Sequence, residues 1–222
     1  MAKEDLRLLD FWVSPFCMRV KIALAEKGLA FDSQEEDLLG GKSELLLKSN
    51  PIYQKVPVLL DSGKPIVESS NIVYYIDEKF ANTKNTLLPS CAYGRSRARF
   101  WADFIDKKIY EAGMAIWRSK GEELEIAKKD FIDILKKLEG ALGDKDYFGG
   151  DNFGYVDVIA ISMTSWFHAY EKFGRFKVEK ECPKFDAWTK RCLKRESVAG
   201  VFPDPKKVYE FVVMLRKMHA VE

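Results

Sequence analysis

Leu6-Arg7-Leu8-Leu9-Asp10-Phe11-Trp12-Val13-Ser14-Pro15-Phe16-Cys17-Met18-Arg19-Val20-Lys21-Ile22-Ala23-Leu24-Ala25-Glu26-Lys27-Gly28 is the stretch on which the fold turns. Leu6 to Trp12 is apolar and aromatic over a strand's length, and Pro15, which has no N–H for a ladder, forbids further pairing. Ser14 suits a helix N-cap and Pro15 the first helical position. Val20, Ala23 and Leu24 mark the apolar stripe of that helix, and Gly28 ends it.

The chain after Gly28 continues the pattern. Phe31 to Asp37 reads as a second strand, Ser43 to Ser49 as a short helix, and Lys55 to Asp61 as a third strand interrupted by Pro57. Ser62-Gly63 is a two-residue hairpin signal leading into a fourth strand, Lys64 to Val67. Ser69 or Ser70 then caps a helix that runs to about Phe80. The order βαβ then ββα implies a mixed four-stranded sheet covered by helices. From Ala81 to Ser90 the chain is polar and proline-punctuated, which marks a boundary. Beyond it lie helical patterns only: Ala92 to Trp117, Glu122 to Leu142, Tyr155 to Phe173, Pro183 to Leu193 and Pro205 to Met218. The expected organisation is therefore an α+β domain over 1–81, a linker over 82–91 and an all-helical bundle over 92–222.

Composition narrows the function. Lys and Arg total 36 against 34 Asp and Glu, a net charge of +2 in 222 residues. That lacks the basic footprint needed for nucleic acid. The first residues carry no apolar signal core, and no run approaches the roughly 20 apolar residues of a membrane span, so a cytoplasmic protein without membrane contact is expected. Cys17, Cys91, Cys182 and Cys192 are scattered, and the only histidines are His168 and His219, so neither a metal site nor a disulfide framework is expected.

Three places could carry chemistry. At Ser14-Pro15-Phe16 a hydroxyl and the free amides of a helix's first turn face one space, a natural anion site. Pro57 belongs at an edge, a bulge or a cis turn, and a cis bond would present the Val56 backbone to a ligand. Glu68-Ser69-Ser70 sets a carboxylate beside hydroxyls and helix amides, a set able to hold the carboxylate and ammonium of an amino acid at once. Each alone also reads as an ordinary cap or strand breaker, and Lys42 and Lys55 alone as solvated charges.

Their order and spacing resemble the cytosolic glutathione transferases, and most closely the plant tau class. The matching segments are Asp10-Phe11-Trp12-Val13-Ser14-Pro15-Phe16, Arg19 to Gly28, Asn50-Pro51, Lys55-Val56-Pro57-Val58-Leu59, Glu68-Ser69, Arg99-Phe100-Trp101-Ala102 and Glu181-Cys182-Pro183-Lys184-Phe185. The resemblance implies a thioredoxin-like first domain, glutathione as cosubstrate, no metal, and a homodimer in which the first domain packs on the partner's bundle. It implies that Ser14 hydrogen-bonds the glutathione sulfur, that Val56 before a cis Pro57 pairs with the cysteinyl unit, that Glu68 and Ser69 hold the γ-glutamyl group, and that Lys42 and Lys55 meet the glycine carboxylate. Gly40-Gly41 before Lys42 suggests a loose loop. The usual capping box at the bundle's central helix reads Gly154-Tyr155-Val156-Asp157 and loses its hydroxyl, so a weaker cap is expected.

A free thiol ionises near pH 8.5, so half-ionisation at about pH 6.5 needs roughly 2.7 kcal/mol. A hydroxyl hydrogen bond to an anion supplies about 1.5–3 kcal/mol and a helix N-terminus about 0.3–1, so Ser14 with its helix could suffice. The serine would donate and glutathione would attack, either a hydrophobic electrophile or an organic hydroperoxide, a chemistry of detoxification and stress response. The electrophile is expected among Phe16, Tyr110, Met114, Trp117, Trp166 and Phe211, for each of which core packing is the other reading. A non-catalytic carrier of hydrophobic ligands is the alternative, and a thiol transferase or dehydroascorbate reductase is disfavoured because serine, not cysteine, stands at position 14. Cys17 reads as an apolar helix-face residue.

Overall fold

Parallel pairing of strand β1 (Leu6–Asp10) with β2 (Asp32–Glu35), and antiparallel pairing of β1 with β3 (Val58–Asp61) and of β3 with β4 (Lys64–Val67), build a mixed sheet of order β2-β1-β3-β4. The computed structural model describes residues 5–81 and 85–219. The chain divides into two compact units between Leu88 and Pro89. The expected linker over 82–91 therefore straddles this division, and its residues 82–84 lie outside the described residues.

Within the first unit the central strands are the apolar ones. Leu8, Leu9, Val58 and Leu59 are fully buried, whereas β2 is short, polar and mostly exposed. The expected second strand, Phe31 to Asp37, shrinks to four residues because an edge strand with few apolar side chains buries little. The third begins at Val58, after Pro57. Leu9, Val58 and Leu60 pack with Leu46 of helix α2 (Glu44–Ser49) on one face of the sheet. Leu8 and Leu59 alternate to the other face. Helices α1 (Pro15–Glu26) and α3 (Ser69–Lys79) pack on one another, and α3 packs on β3 and β4.

Buried charge ties this pair together. Lys27 and Asp77 are 2% and 4% exposed and form an ion pair at 2.6 Å. The two Asp77 carboxylate oxygens also accept the amides of Leu87 (2.8 Å) and Leu88 (3.0 Å), so the chain leaving the unit is anchored on α3.

The second unit is wholly helical among its described residues, apart from a single bridge between Tyr147 and Gly150. The expected helix from Ala92 to Trp117 is α4 (Ala92–Phe104) and α5 (Tyr110–Arg118) joined by a π-helical turn, Ile105–Ile109, which resets the helical register by one residue. α6 (Gly121–Leu142) presents Ala127, Phe131, Leu135, Leu138 and Leu142 to the core. The expected helix from Tyr155 to Phe173 is likewise divided into α7 (Tyr155–Met163), a 3₁₀ turn at Thr164–Trp166, and α8 (Phe167–Gly174). The cause is a run of hydroxyls: Ser162, Thr164 and Ser165 each donate to the carbonyl three residues back, at 2.8–2.9 Å, and tighten the helix there. Four-residue helices α9 (Val178–Glu181) and α11 (Glu196–Ala199), too short to show a periodicity, flank α10 (Pro183–Cys192), and α12 (Pro205–Met218) closes the unit. No helix among the described residues is long and apolar enough to cross a membrane.

α7 is the unit's axis, buried along its whole length. Its start is held by Asp157, which is 0% exposed and accepts from the Gly154 amide (3.0 Å), the Phe148 amide (3.0 Å) and the Trp188 indole (2.8 Å). The hydroxyl missing at position 154 removes one cap bond, but the expected weakness is offset because the carboxylate gathers three donors from three segments.

Two consequences can be measured. Asp77→Ala leaves the Lys27 charge and two amides buried without their partner, and urea denaturation should show a loss of about 3–5 kcal/mol; a loss below about 1 kcal/mol would contradict the anchoring role. Burial raises the Asp157 carboxyl to about 6 from the usual carboxylate range, against the opposing pull of its three N–H donors. Between about pH 4 and 6 the folded protein then binds more protons than the unfolded chain, so stability falls as pH rises through that window. Relative to Asp157→Asn, which does not titrate, the wild type should lose roughly 3 kcal/mol across it; parallel pH profiles would refute this.

Candidate functional site

The strand registers bring the candidate residues to one end of the sheet. Leu9 pairs with Val58, and Val58 with Val67. The C-terminal end of β1, the N-terminal end of β3 and the C-terminal end of β4 therefore lie side by side, and from them emerge Ser14, Val56-Pro57 and Glu68-Ser69. Because β2 is parallel to β1, with Asp10 opposite Glu35, the loop carrying Lys42 leaves from the same end.

Ser14 is the N-cap of α1. Its extended backbone (φ −73°, ψ 118°) turns the chain, and its hydroxyl oxygen accepts the Cys17 amide at 3.3 Å. Accepting uses a lone pair and leaves the O–H proton as a donor. Cys17 is fully buried one turn further on, and burial, with the nearby Asp10 carboxylate, drives its thiol far above the usual range. The exposed chemistry of this turn is thus a hydroxyl, and the thiol is sealed in the core.

Glu68, not Ser69 or Ser70, occupies the cap position of α3. Its backbone is left-handed (φ 68°, ψ 110°) and its side chain makes no cap bond. Ser69, expected as a cap, is the first helical residue and only 8% exposed. A non-glycine residue held at positive φ costs of order 1–3 kcal/mol, and such strain clusters at functional sites. The Glu68 carboxylate is exposed, so this conformation presents it beside the open amides of the α3 terminus.

Beneath these serines lies a residue to which the sequence reading gave no role. Arg19 is 0% exposed, and its Nη1 donates to the hydroxyls of Ser69 (3.3 Å) and Ser70 (3.0 Å), while the guanidinium stacks over Phe16 at 5.0 Å. A full positive charge thus reinforces the N-terminal end of α3, where the macrodipole already favours anions. The available signal was an arginine between Met18 and Val20 on a helix otherwise packed with apolar residues; such a charge stays buried only with built partners.

The Val56-Pro57 peptide bond is cis, with Val56 half-buried and Pro57 buried. Asn50, 3% exposed, sets the approach to it: its amide donates to the Lys55 carbonyl at 2.9 Å, and its carbonyl oxygen accepts the Tyr53 amide at 3.3 Å. Lys42 and Lys55 are both exposed, and no hydrogen bond or ion pair joins either side chain to the other candidates among the described residues. The loop before Lys42 is not loose. Asp37 accepts the amides of Leu39 (3.1 Å) and Gly40 (2.7 Å) through its side chain and that of Gly41 (3.1 Å) through its carbonyl. A Cβ at position 40 would stand 2.2 Å from the Asp37 carboxylate, so the glycine is there for space. Glu36, 2% exposed, then fixes Ser43 by both its amide (3.1 Å) and its hydroxyl (2.8 Å).

In the second unit, Met114 Sδ accepts the Trp117 indole N–H at 3.1 Å, and Trp166 stacks edge-on with Phe211 at 6.2 Å. Trp117 is fully buried and Trp166 nearly so, whereas Tyr110 is 36% exposed, with burial of its ring raising the phenol above its usual range. Phe16, in the first unit, is half-buried. No cluster of three metal-ligating side chains is present among the described residues.

Comparisons with known proteins agree with this architecture. The family model described as Glutathione S-transferase, N-terminal domain, matches residues 4–78, and that described as Glutathione S-transferase, C-terminal domain, matches residues 99–191. Among curated relatives, Glutathione S-transferase U19 of Arabidopsis thaliana is 58% identical and the probable glutathione S-transferase parC of Nicotiana tabacum 57% identical, each over the whole of both chains. Among solved structures, rice GST1 in complex with glutathione is 47% identical with a TM-score of 0.94, covering 98% of this chain and 99% of its own. The tau-class glutathione S-transferase of mango, Mangifera indica, is 37% identical with a TM-score of 0.91, covering 96% of this chain and all of its own. With both domain models matched and full-length relatives above half identity, the chain belongs to the glutathione S-transferase family and, within it, to the tau class of plants.

Proposed function

We propose that Ser14 is the catalytic residue of a glutathione transferase that uses glutathione as cosubstrate and conjugates it to hydrophobic electrophiles. The observation that carries this reading is the convergence of Ser14, Val56-Pro57 and Glu68-Ser69 at one end of the sheet, over the buried Arg19. In this reading the γ-glutamyl carboxylate sits at the α3 terminus with Ser69, its ammonium meets Glu68, the cysteinyl backbone pairs with Val56 before Pro57, and Lys42 and Lys55 attract the glycine carboxylate. The Ser14 O–H donates to the sulfur and favours the thiolate. The thiol proton leaves to solvent, the sulfur forms the new bond to the electrophilic carbon, and the leaving group departs with its electron pair. The same thiolate would attack the terminal oxygen of a hydroperoxide, breaking the O–O bond; the alkoxide takes a proton from solvent and leaves as an alcohol, and a second glutathione converts the glutathione sulfenic acid to the disulfide with loss of water.

The domain roles follow: residues 1–81 hold glutathione, and the helical domain over 92–222 supplies the electrophile's surroundings, with Tyr110, Met114 and Phe211 as the more accessible members and Trp117 and Trp166 behind them. In the first domain, Phe16 is the apolar side chain proposed to serve the electrophile. Enzymes of this chemistry draw on the cytosolic glutathione pool, so the cytoplasm is the proposed location. The thiol-transferase alternative is poorly supported, because it needs an accessible low-pKa thiol at this turn and Cys17 is buried.

Ser14→Ala should move the apparent pKa of the bound thiol from about 6.5 toward about 8.5 and lower turnover with an aryl halide at pH 6.5 by about 100-fold, with little change in glutathione KM. An unchanged pH profile would remove Ser14 from the chemistry.

The reading also includes a homodimer. Each unit exposes large apolar side chains: Ile52 and Tyr53 are 83% and 58% exposed in the first, Tyr93 and Phe100 are 76% and 57% exposed in the second. Light scattering should give twice the chain mass at micromolar concentration, and Tyr53→Ala with Phe100→Ala should shift it toward the monomer; a monomeric wild type would exclude the dimer.

A further inference from the structure

Two arginines without a carboxylate partner meet at one residue of the second unit. Trp117, fully buried near the end of α5, carries the Arg118 guanidinium over its ring at 4.9 Å, and its carbonyl accepts from Arg216 Nη1 of α12 at 2.5 Å. The His219 ring, at the C-cap of α12, lies 5.8 Å from the indole. The carboxylates of the same two helices, Glu111 and Glu210, pair with neither arginine among the described residues.

The two arginines are used differently. Arg216 is half-buried, stacks over Phe173 at 4.6 Å and closes α5 through the Trp117 carbonyl, which is the work of a cation at a helix C-terminus. Arg118 makes no such bond. It is exposed, and stacking engages the face of its guanidinium while leaving the N–H donors along its edges open. No hydrogen bond or ion pair occupies them among the described residues. Arg118 also acts on the side of α5 proposed for the electrophile: its charge opposes the rise that burial imposes on the Tyr110 phenol, about two turns earlier.

We infer that Arg118 is a specificity-determining residue, and that the electrophiles this enzyme prefers are apolar ones bearing a carboxylate or another anionic group. The inference rests on the reading that sets the electrophile against Tyr110, Met114 and Trp117. The apolar body lies along α5, and the anionic group meets the Arg118 fork, whose planar donors match a carboxylate. Arg216 adds a second positive charge beside it. From Tyr110 to Arg118 the helix rises about 12 Å, enough for an elongated electrophile to keep its anionic group well away from the reacting carbon. Neutral electrophiles enter the same site without that anchor.

4-Chloro-3,5-dinitrobenzoate and its methyl ester share a ring and a leaving group and differ in one charge. With either, the glutathione sulfur bonds the carbon bearing chlorine, chloride leaves with the electron pair, and the thiol proton goes to solvent. A second pair carries the carboxylate, or its methyl ester, on an aminohexanoyl arm and reaches further along α5. The acid-to-ester ratio of kcat/KM, after subtraction of the uncatalysed rates, is compared between the wild type and its variants, so that intrinsic reactivity cancels. In at least one pair the ratio should fall about tenfold in Arg118→Ala, mainly through the KM of the acid, stay within about threefold in Arg118→Lys, and fall in the wild type as salt is raised. A role confined to packing over Trp117 would lower acid and ester alike. An unchanged ratio in Arg118→Ala for both pairs, with the esters still conjugated, would overturn the proposal and leave the transferase reading standing, whereas a wild type that conjugates none of the compounds would remove both.

Discussion

The register in which β1 meets β3 is the constraint on which the site depends. With Leu9 opposite Val58, and Val58 opposite Val67, three loops from distant parts of the chain open at one end of the sheet. Because side chains alternate with period two, a slip of one residue would turn Leu9 and Leu8 to the wrong faces and misplace Ser14 relative to Val56. The slip is prevented by burial on both faces: Leu46 of α2 closes over Leu9, Val58 and Leu60, while Leu8 and Leu59 are fully buried on the other side. Each buried leucine contributes about 1.5–3 kcal/mol to that choice.

Two buried cations, Arg19 on α1 and Lys27 at its C-terminal cap, then set where α3 lies. Lys27 holds Asp77 near the far end of α3, and Arg19 holds Ser69 and Ser70 at its start. A buried ion pair adds little net stability over a well-packed apolar one, but it penalises any arrangement in which its partners separate. Placed one at each end, these contacts fix α3 along its axis as well as against α1, and with it the helix terminus that carries Glu68.

Much of this was legible in the sequence where the signal is local. Ser14-Pro15 announces its cap, Gly28 its stop and Ser62-Gly63 its hairpin, because each depends on a few adjacent dihedral angles. The breaks inside the long helical patterns were not foreseen, since the π turn at Ile105–Ile109 keeps an apolar periodicity close to that of a continuous helix. The run Ser162-Met163-Thr164-Ser165 did carry a signal, in hydroxyls able to bond back to the preceding turn, that hydrophobic periodicity alone passes over. Arg19 and Asn50 were hidden for a different reason: their partners lie at Ser69 and Ser70, fifty residues away, and at a neighbouring carbonyl, and a residue's burial depends on the whole fold. The cap at Glu68 was misassigned because serine is the better cap by local chemistry.

That last exchange places Glu68 where stability and activity pull in opposite directions. Glycine would adopt φ 68° without strain, so a more stable protein lies one substitution away. If the carboxylate serves the ligand's ammonium, selection for binding keeps the chain off its own stability optimum at this residue. The conformational energy that a consensus-driven redesign would recover first at Glu68 is then the energy the site cannot give up.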